Sequence, residues 1–319
     1  MRTHDLLKTT SPMIRMPRRA WRVDADAADP PDLADAVAVF SALRPRIFGI
    51  AYRMLGSVAD AEDLVQETWI RWQGTDRTVV REPGAFLATT ATRLAITHLQ
   101  SARVRREAYV GPWLPEPIDT AANPEVLTER GGDLGFAFLL LLERLTPPER
   151  AAYVLRSAFD YPYDRIAEIL GVTVVSARKL VSRATAHLGE ERRRAVPAAR
   201  HRLLLDAFLD AARSGDLVAL ERLLAEDVVS YSDGGGKAQA ARIPLVGRAR
   251  VANFHHALSE WFWNDVEVHP VEANGQPAVL LSAWGKTFGL IAVDVSDAGI
   301  DRVFWMVNAE KIGAALPSA

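Results

Sequence analysis

From Asp32 onward, apolar residues recur at three- and four-residue spacing. Val37, Phe40, Leu43, Ile47, Ile50, Met54 and Leu55 trace one stripe, the signature of a helix with a single buried face. Gly56-Ser57 interrupts it. A second stripe of Ala61, Leu64, Val65, Thr68, Trp69 and Trp72 predicts another helix, whose opposite face carries Glu62, Asp63, Gln66, Glu67 and Arg71. A third helix is predicted from Phe86 to about Arg106, apolar at its start and basic at its end. The period is lost over residues 108–134, where Gly111, Pro112, Pro115, Pro117, Pro124, Gly131 and Gly132 predict an extended linker. Trp113 and Leu114 sit inside that linker and predict that it docks, because a plain spacer has no use for an aromatic anchor. Helical periodicity returns from Gly135 to Leu145. Thr146-Pro147-Pro148-Glu149 then has the form of a helix start, with Thr146 as N-cap and an acid three residues on.

Beyond residue 200 the pattern changes. Leu203 to Ala212 and Leu217 to Leu224 still read as helices. Val228 to Tyr231, Ala278 to Trp284, Phe288 to Val295 and Val303 to Val307 read as strands, separated by turns at Asn274-Gly275-Gln276 and Asp297-Ala298-Gly299. Helices followed by antiparallel strands predict an α+β domain. The chain thus divides into a flexible tail (1–31), a helical domain (32–107), a linker (108–134), a second helical domain (135–190), a short linker (191–199) and an α+β domain (200–319).

Composition narrows the class. With 319 residues, 49% hydrophobic and 24% charged, the chain is no disordered polypeptide. It has no cysteine, which excludes disulfides, thiolate zinc sites and cysteine nucleophiles and suits a reducing cytoplasm. The longest uncharged apolar run, Leu134 to Leu142, is far short of the roughly 20 residues a membrane span needs. The N-terminus lacks the apolar segment of a secretion signal. The net charge of −2 conceals an asymmetry: residues 1–200 carry 28 basic against 25 acidic side chains, and residues 201–319 carry 10 against 15. A polyanionic partner therefore belongs to the front of the chain. In the tail, Arg15, Arg18, Arg19 and Arg22 could brush DNA, but a solvated tail with no role is the favoured reading.

Residues 163–184 form a helix-turn-helix pattern. Ala167 is small where a second helix crosses, Gly171 supplies the tight turn, and Ile166, Leu170, Val172, Ala177 and Leu180 close a small core. The outer face of the second helix offers Thr173, Ser176, Arg178, Lys179, Ser182 and Arg183, donors suited to base edges and phosphates in a major groove.

Phe40 to Trp72, and above all Asp60-Ala61-Glu62-Asp63-Leu64-Val65-Gln66-Glu67, resembles region 2 of bacterial sigma factors of the extracytoplasmic-function (ECF) type. The resemblance implies that Glu62, Asp63, Gln66 and Glu67 grip the coiled coil of the RNA polymerase β′ subunit. It implies that the third helix opens and reads the −10 element through Thr92, Arg93, Thr97 and His98, joined by Thr89, Thr90 and Gln100, with Arg103, Arg105 and Arg106 on phosphates. Many related proteins have Asn where Thr97 or His98 stands. Residues 135–190 resemble region 4, which reads the −35 element and meets the β flap. The expected partners are thus core RNA polymerase and promoter DNA, without a membrane.

Three further sequences mark the extension: Trp113-Leu114-Pro115-Glu116-Pro117, Asp233-Gly234-Gly235-Gly236-Lys237, and Asn308-Ala309-Glu310-Lys311-Ile312. With them the chain is similar to SigJ-like ECF sigma factors that carry a fused SnoaL-like, NTF2-like domain. The third motif departs from the family's form at Ala309 and Ile312. The resemblance implies two all-α sigma domains followed by an α+β cone. The glycine loop is expected to contact the Trp113 linker, with Asn308 and Lys311 in support, so that the extension regulates the DNA-binding modules in cis. Related cones include enzymes, and Asp227, Tyr231, Asp233, His255 and His256 are the groups able to do acid–base work. The expectation is a non-enzymatic factor with no catalytic set, metal or cofactor; a small ligand inside the cone stays open. A ligand-responsive repressor and an NTF2-like enzyme with a DNA-binding accessory are the alternatives, and promoter-dependent transcription with core polymerase separates them from an initiation factor.

Overall fold

The structure is a computed structural model describing residues 31–107, 109–122, 124, 134–188, 196–238 and 240–315. The tail before Pro31, the arginine run 192–194 and the side chains of Arg103, Arg105 and Arg106 lie outside the described parts.

Helices α1 (Pro31–Leu55), α2 (Val58–Gln73) and α3 (Pro83–Glu107) pack together as the stripes require. Ser57 caps α2 by accepting the Asp60 N–H at 3.1 Å, which is why the break at Gly56 restarts a helix. Trp72 is buried, and its indole N–H donates to the Ala36 carbonyl at 3.1 Å. After the linker come α4 (Phe136–Leu142), α5 (Pro147–Ser157), α6 (Tyr163–Leu170) and α7 (Val174–Leu188). Glu149 accepts from the Thr146 N–H at 3.2 Å and from its hydroxyl at 2.6 Å, so the predicted helix start at Thr146 is present. Gly171 ends α6 with φ +65, a conformation glycine adopts without penalty. Val172, expected in the small core of the hairpin, is instead exposed, because the left-handed turn at Gly171 directs the chain outward. The two helical domains share one continuous apolar core, running from Phe40, Ile47 and Leu64 to Leu141, Tyr153 and Ile166.

The C-terminal part begins with α8 (Ala198–Ser214) and α9 (Leu217–Leu223). Strands β1 (Leu224–Asp233) and β2 (Leu245–Val246), helix α10 (Arg248–Ser259), strands β3 (Glu267–Ala273), β4 (Gln276–Ala283), β5 (Lys286–Ser296) and β6 (Gly299–Met306), and helix α11 (Ala309–Ala315) follow. The sheet order is β2-β1-β6-β5-β4-β3. Strands β3 to β6 form an antiparallel meander, but β6 lies parallel to β1, with Tyr231 beside Phe304. The expected all-antiparallel sheet is therefore corrected. The cause is the long excursion through β2 and α10, which returns the meander to β1 in the same sense.

Both faces of this sheet are buried. Val228, Leu281, Ile291, Val303 and Trp305 meet α8, α9 and α10 through Phe208, Leu220 and Val251. Leu280, Leu290, Phe304 and Met306 on the other face meet Leu114 of the linker, Phe136 of α4 and Ile312 of α11. Helix α4 is thus shared: Leu139, Leu141 and Leu142 enter the helical core, while Phe136 and Ala137 enter the sheet core.

Candidate functional site

On α2, the apolar stripe turns inward and leaves the acidic and amide side chains outward. Asp63 and Gln66 are exposed, and Glu62 pairs with Arg44 at 2.5 Å. Glu67 pairs with Arg71 at 2.8 Å and lies 3.4 Å from His98 Nε2. The polar face of α2 and the polar end of α3 are therefore neighbours.

On α3 the expected DNA-reading residues divide. Thr97 is exposed, and His98 is half-buried beside Glu67. Thr92 is fully buried, in the same stripe as Ala88, Ala91 and Leu99, so its hydroxyl has no path to DNA in this arrangement. Arg93 points to the other helical domain: its Nε donates to the Ile169 carbonyl at 2.8 Å and an Nη to the Glu168 carbonyl at 3.0 Å. These are the carbonyls at the C-terminal end of α6, where a cation is favoured. The same seam holds Arg165 against Glu82, Arg46 stacked 4.8 Å from the Tyr161 ring, and buried Arg150 donating to the Met54 carbonyl at 2.7 Å.

On α7, Thr173, Arg178, Lys179, Ser182 and Arg183 are exposed. The Thr173 hydroxyl accepts the Ser176 N–H at 3.2 Å and so acts as an N-cap. Arg178 lies 5.5 Å from the Tyr163 ring, and Arg183 lies 3.7 Å from Glu149.

The extension and the linker meet around a buried carboxylate. Asp233 accepts from the Leu114 N–H at 2.9 Å, the Tyr109 hydroxyl at 2.5 Å and the Gly235 N–H at 3.1 Å. Its partner is the buried Lys311 ammonium at 2.7 Å, which also donates to the Leu114 carbonyl. Asn308 donates to the Tyr109 hydroxyl at 3.0 Å. Burial, and then Asp233, pushes the Tyr109 phenol well above its usual range. A Cβ on Gly235 would fall 2.6 Å from Asn308 Nδ2, and Gly235 and Gly236 have φ of +59 and +73. The loop therefore requires glycine to lie this close to its neighbours. Lys237 is exposed and pairs with exposed Glu310 at 2.5 Å. Trp113 lies between the Lys311 ammonium, 4.5 Å from its ring centroid, and Gly56, where a Cβ would fall 2.7 Å from the ring. Leu114, Pro115 and Pro117 are buried. The Glu116 carboxylate accepts the Val58 N–H at 2.6 Å, at the start of α2.

A second junction was not foreseen. Asn274, in the β3–β4 turn with φ +57, is buried. Its side-chain amide donates to the Tyr52 hydroxyl at 2.6 Å and the Leu134 carbonyl at 3.0 Å, and its side-chain oxygen accepts the Ile118 N–H at 3.0 Å. Tyr52, fully buried on α1, donates to the Glu116 carbonyl at 2.6 Å. One side chain thus joins α1, the linker, the entry to α4 and the sheet. The Asn274-Gly275 pair is the local sequence signal, and by itself it predicts only a turn.

The five acid–base candidates do not converge. His255 is enclosed by Phe208, Phe254 and Trp305 on one sheet face, and burial pushes its pKa down to about 3. Tyr231 stacks on Phe304 on the other face, where Asp233 is already engaged. Asp227 and His256 are exposed, and His256 Nδ1 lies 2.7 Å from the Gly215 carbonyl. Among the described residues there is no cluster able to hold a metal ion and no helix long and apolar enough to cross a membrane.

Two helical domains, joined by a docked linker and backed by an α+β sheet domain, are the arrangement expected of a transcription initiation factor of the sigma type. Residues 39–105 match the family model for sigma-70 region 2, and residues 136–188 match that for sigma-70 region 4. The chain is 40% identical over 231 residues to the ECF RNA polymerase sigma factor SigJ of Mycobacterium tuberculosis, covering 68% of this chain and 71% of that one. It is 28% identical over 279 residues to that organism's probable ECF sigma factor SigI, covering 86% and 94%. The crystal structure of the M. tuberculosis SigJ superposes with a TM-score of 0.71 at 32% identity, covering 89% of this chain and all of that one. The chain belongs to the ECF RNA polymerase sigma factors: it binds core RNA polymerase and promoter DNA and directs promoter-specific initiation.

Proposed function

We propose that the polar face of α2, with Glu62, Asp63, Gln66 and Glu67, engages the β′ coiled coil in the cytoplasm, and that region 4 engages the β flap. Helix α3 reads the −10 element and α7 the −35 element. The cone acts by binding and restraint rather than catalysis, and it holds the two modules in a closed arrangement through the linker. The observation that carries this reading is the Asp233–Lys311 pair closed on the backbone of Leu114, at 2.7 Å and 2.9 Å.

Reach supports a restraining sign for this control. The two promoter elements lie about 25 base pairs apart, on the order of 80 Å along B-DNA. Arg93 of α3 is hydrogen-bonded to the end of α6, immediately before the recognition helix. The closed chain therefore cannot span both elements, and opening of the seam accompanies promoter engagement.

The test is charge reversal of Glu62, Asp63 and Glu67 together. Core polymerase should no longer be retained by the variant, while circular dichroism stays that of the wild type. Normal retention would refute the assignment of this face. Trp113→Ala should raise promoter-dependent transcription and expand the free protein in solution scattering; unchanged transcription would refute the restraint.

A further inference from the structure

The recognition helix carries an apolar residue where polar readers were expected. Ala177, Val181, Ala184 and Leu188 form the buried side of α7. The helical period places Val175, Lys179, Ser182 and Ala186 on the opposite side, and all four are exposed. Val175 is 62% exposed in the first turn, next to Val174 and Val172, each 38% exposed. A single surface valine needs no explanation. Three in four residues, around the N-cap of the helix that enters the groove, do. Two of them are β-branched residues in a first turn, a poor choice for helix stability alone. The residues around them are cationic: Arg178 and Lys179 are exposed one turn further on, so the apolar spot lies inside a basic surface.

From this we infer that Val175 is a specificity-determining residue that reads the C5-methyl group of a thymine in the −35 element. The reading rests on the assignment of the chain as a sigma factor. A helix-turn-helix presents the N-terminal residues of its second helix to base edges. In the major groove thymine is the base that displays a methyl group, and an apolar side chain is its complement. Lys179 and Arg178 supply charge for phosphates or for a guanine edge beside it. Val175 is accessible in the closed arrangement, so its availability does not depend on opening of the seam.

Uracil differs from thymine by that methyl alone, which gives a direct test. Holoenzyme, formed from the full chain and core RNA polymerase, is used to select duplexes from a random pool. Each thymine of the selected −35 motif is then replaced in turn by deoxyuridine. At one position the swap should weaken binding about four-fold, the equivalent of one buried methyl at ~0.8 kcal/mol. Val175→Ala should bind the thymine duplex about four-fold more weakly and be indifferent to uracil at that position. Lys179→Ala should weaken thymine and uracil duplexes equally. Wild-type holoenzyme that binds every uracil-substituted duplex as tightly as the parent overturns the inference and leaves the sigma assignment standing, as does a Val175→Ala variant that keeps the full uracil response. Failure of the wild-type holoenzyme to select any −35 motif overturns the sigma assignment itself.

Discussion

Replacing Lys311 by Met removes the ammonium that neutralises Asp233 while keeping the length of the side chain. Asp233 is then a buried carboxylate with three remaining donors, Leu114 N–H, Tyr109 hydroxyl and Gly235 N–H, at 2.9, 2.5 and 3.1 Å. Breaking a buried pair in this way costs about 3–5 kcal/mol, and the surviving donors place the cost near the lower end. At about 1.4 kcal/mol per factor of ten, a loss of about 3 kcal/mol shifts the docked linker toward its released state by about a hundred-fold. Hydrogen exchange reads this directly, because the Leu114 amide is bonded to the carboxylate at stake. Its exchange in Lys311→Met should be about a hundred times faster than in the wild type, with protection in α1 retained. In Asp233→Asn/Lys311→Met the uncompensated charge is gone, so the double variant should lose less than the sum of the single ones. Lys237→Met serves as the control: the Lys237–Glu310 pair is exposed on both sides, and its loss should leave exchange unchanged. Wild-type exchange at Leu114 in Lys311→Met, or full additivity in the double variant, would show that this pair does not hold the linker.

Three further outcomes are expected. Gly56→Ala places a methyl against the Trp113 ring at a φ of +67, so the urea midpoint should fall, and should fall less when Trp113→Ala has already removed the ring; an equal fall in both backgrounds refutes the contact. Asn274→Ala strands the Ile118 N–H and the Leu134 carbonyl and puts alanine in a left-handed turn, a loss of about 2–4 kcal/mol, of which Asn274→Gly should recover about 1 kcal/mol; equal stability of the two variants would discount the backbone part. His255 is held neutral, its pKa pushed from the ordinary value down to about 3, so the unfolded chain takes up a proton first and stability falls as pH falls. Between pH 7 and 5 this group alone should withdraw about 2 kcal/mol, and His255→Phe should flatten that slope, with His201, shifted the same way, accounting for part of the remainder; an unchanged slope refutes the assignment.

Much of this was legible because the signals are local. The stripes of α1 and α2, the capping acid at Glu149 and the left-handed turn at Gly171 each involve residues within a few positions of one another. Trp113 and the glycine loop were legible for a different reason: a tryptophan among prolines and three consecutive glycines are costly unless something approaches them. Thr92 is not legible, because a hydroxyl on a helix predicted to read DNA suggests an outward residue, whereas a buried helix stripe tolerates threonine among alanines. Strand β3 was missed because Glu267, His269, Pro270 and Glu272 suit an edge strand and blur the alternation. Asn274 was beyond reach. Its partners Ile118 and Tyr52 lie 156 and 222 residues away along the chain, and nothing local distinguishes it from an ordinary turn asparagine.

The sharing of α4 between two cores sets an order of events during synthesis. Leu139, Leu141 and Leu142 find their partners among helices that precede α4 or follow it closely, but Phe136 and Ala137 are covered by strands that end at Met306. At about 5–20 residues per second, those strands leave the ribosome on the order of ten to thirty seconds after α4. Once α7 has followed, and for the rest of that interval, the nascent chain carries both helical domains without the sheet, and with an apolar face of α4 bare to solvent. The sheet domain is thus made after both helical domains and completes their burial, so a ribosome that stalls after α7 releases a chain with an adhesive patch on α4.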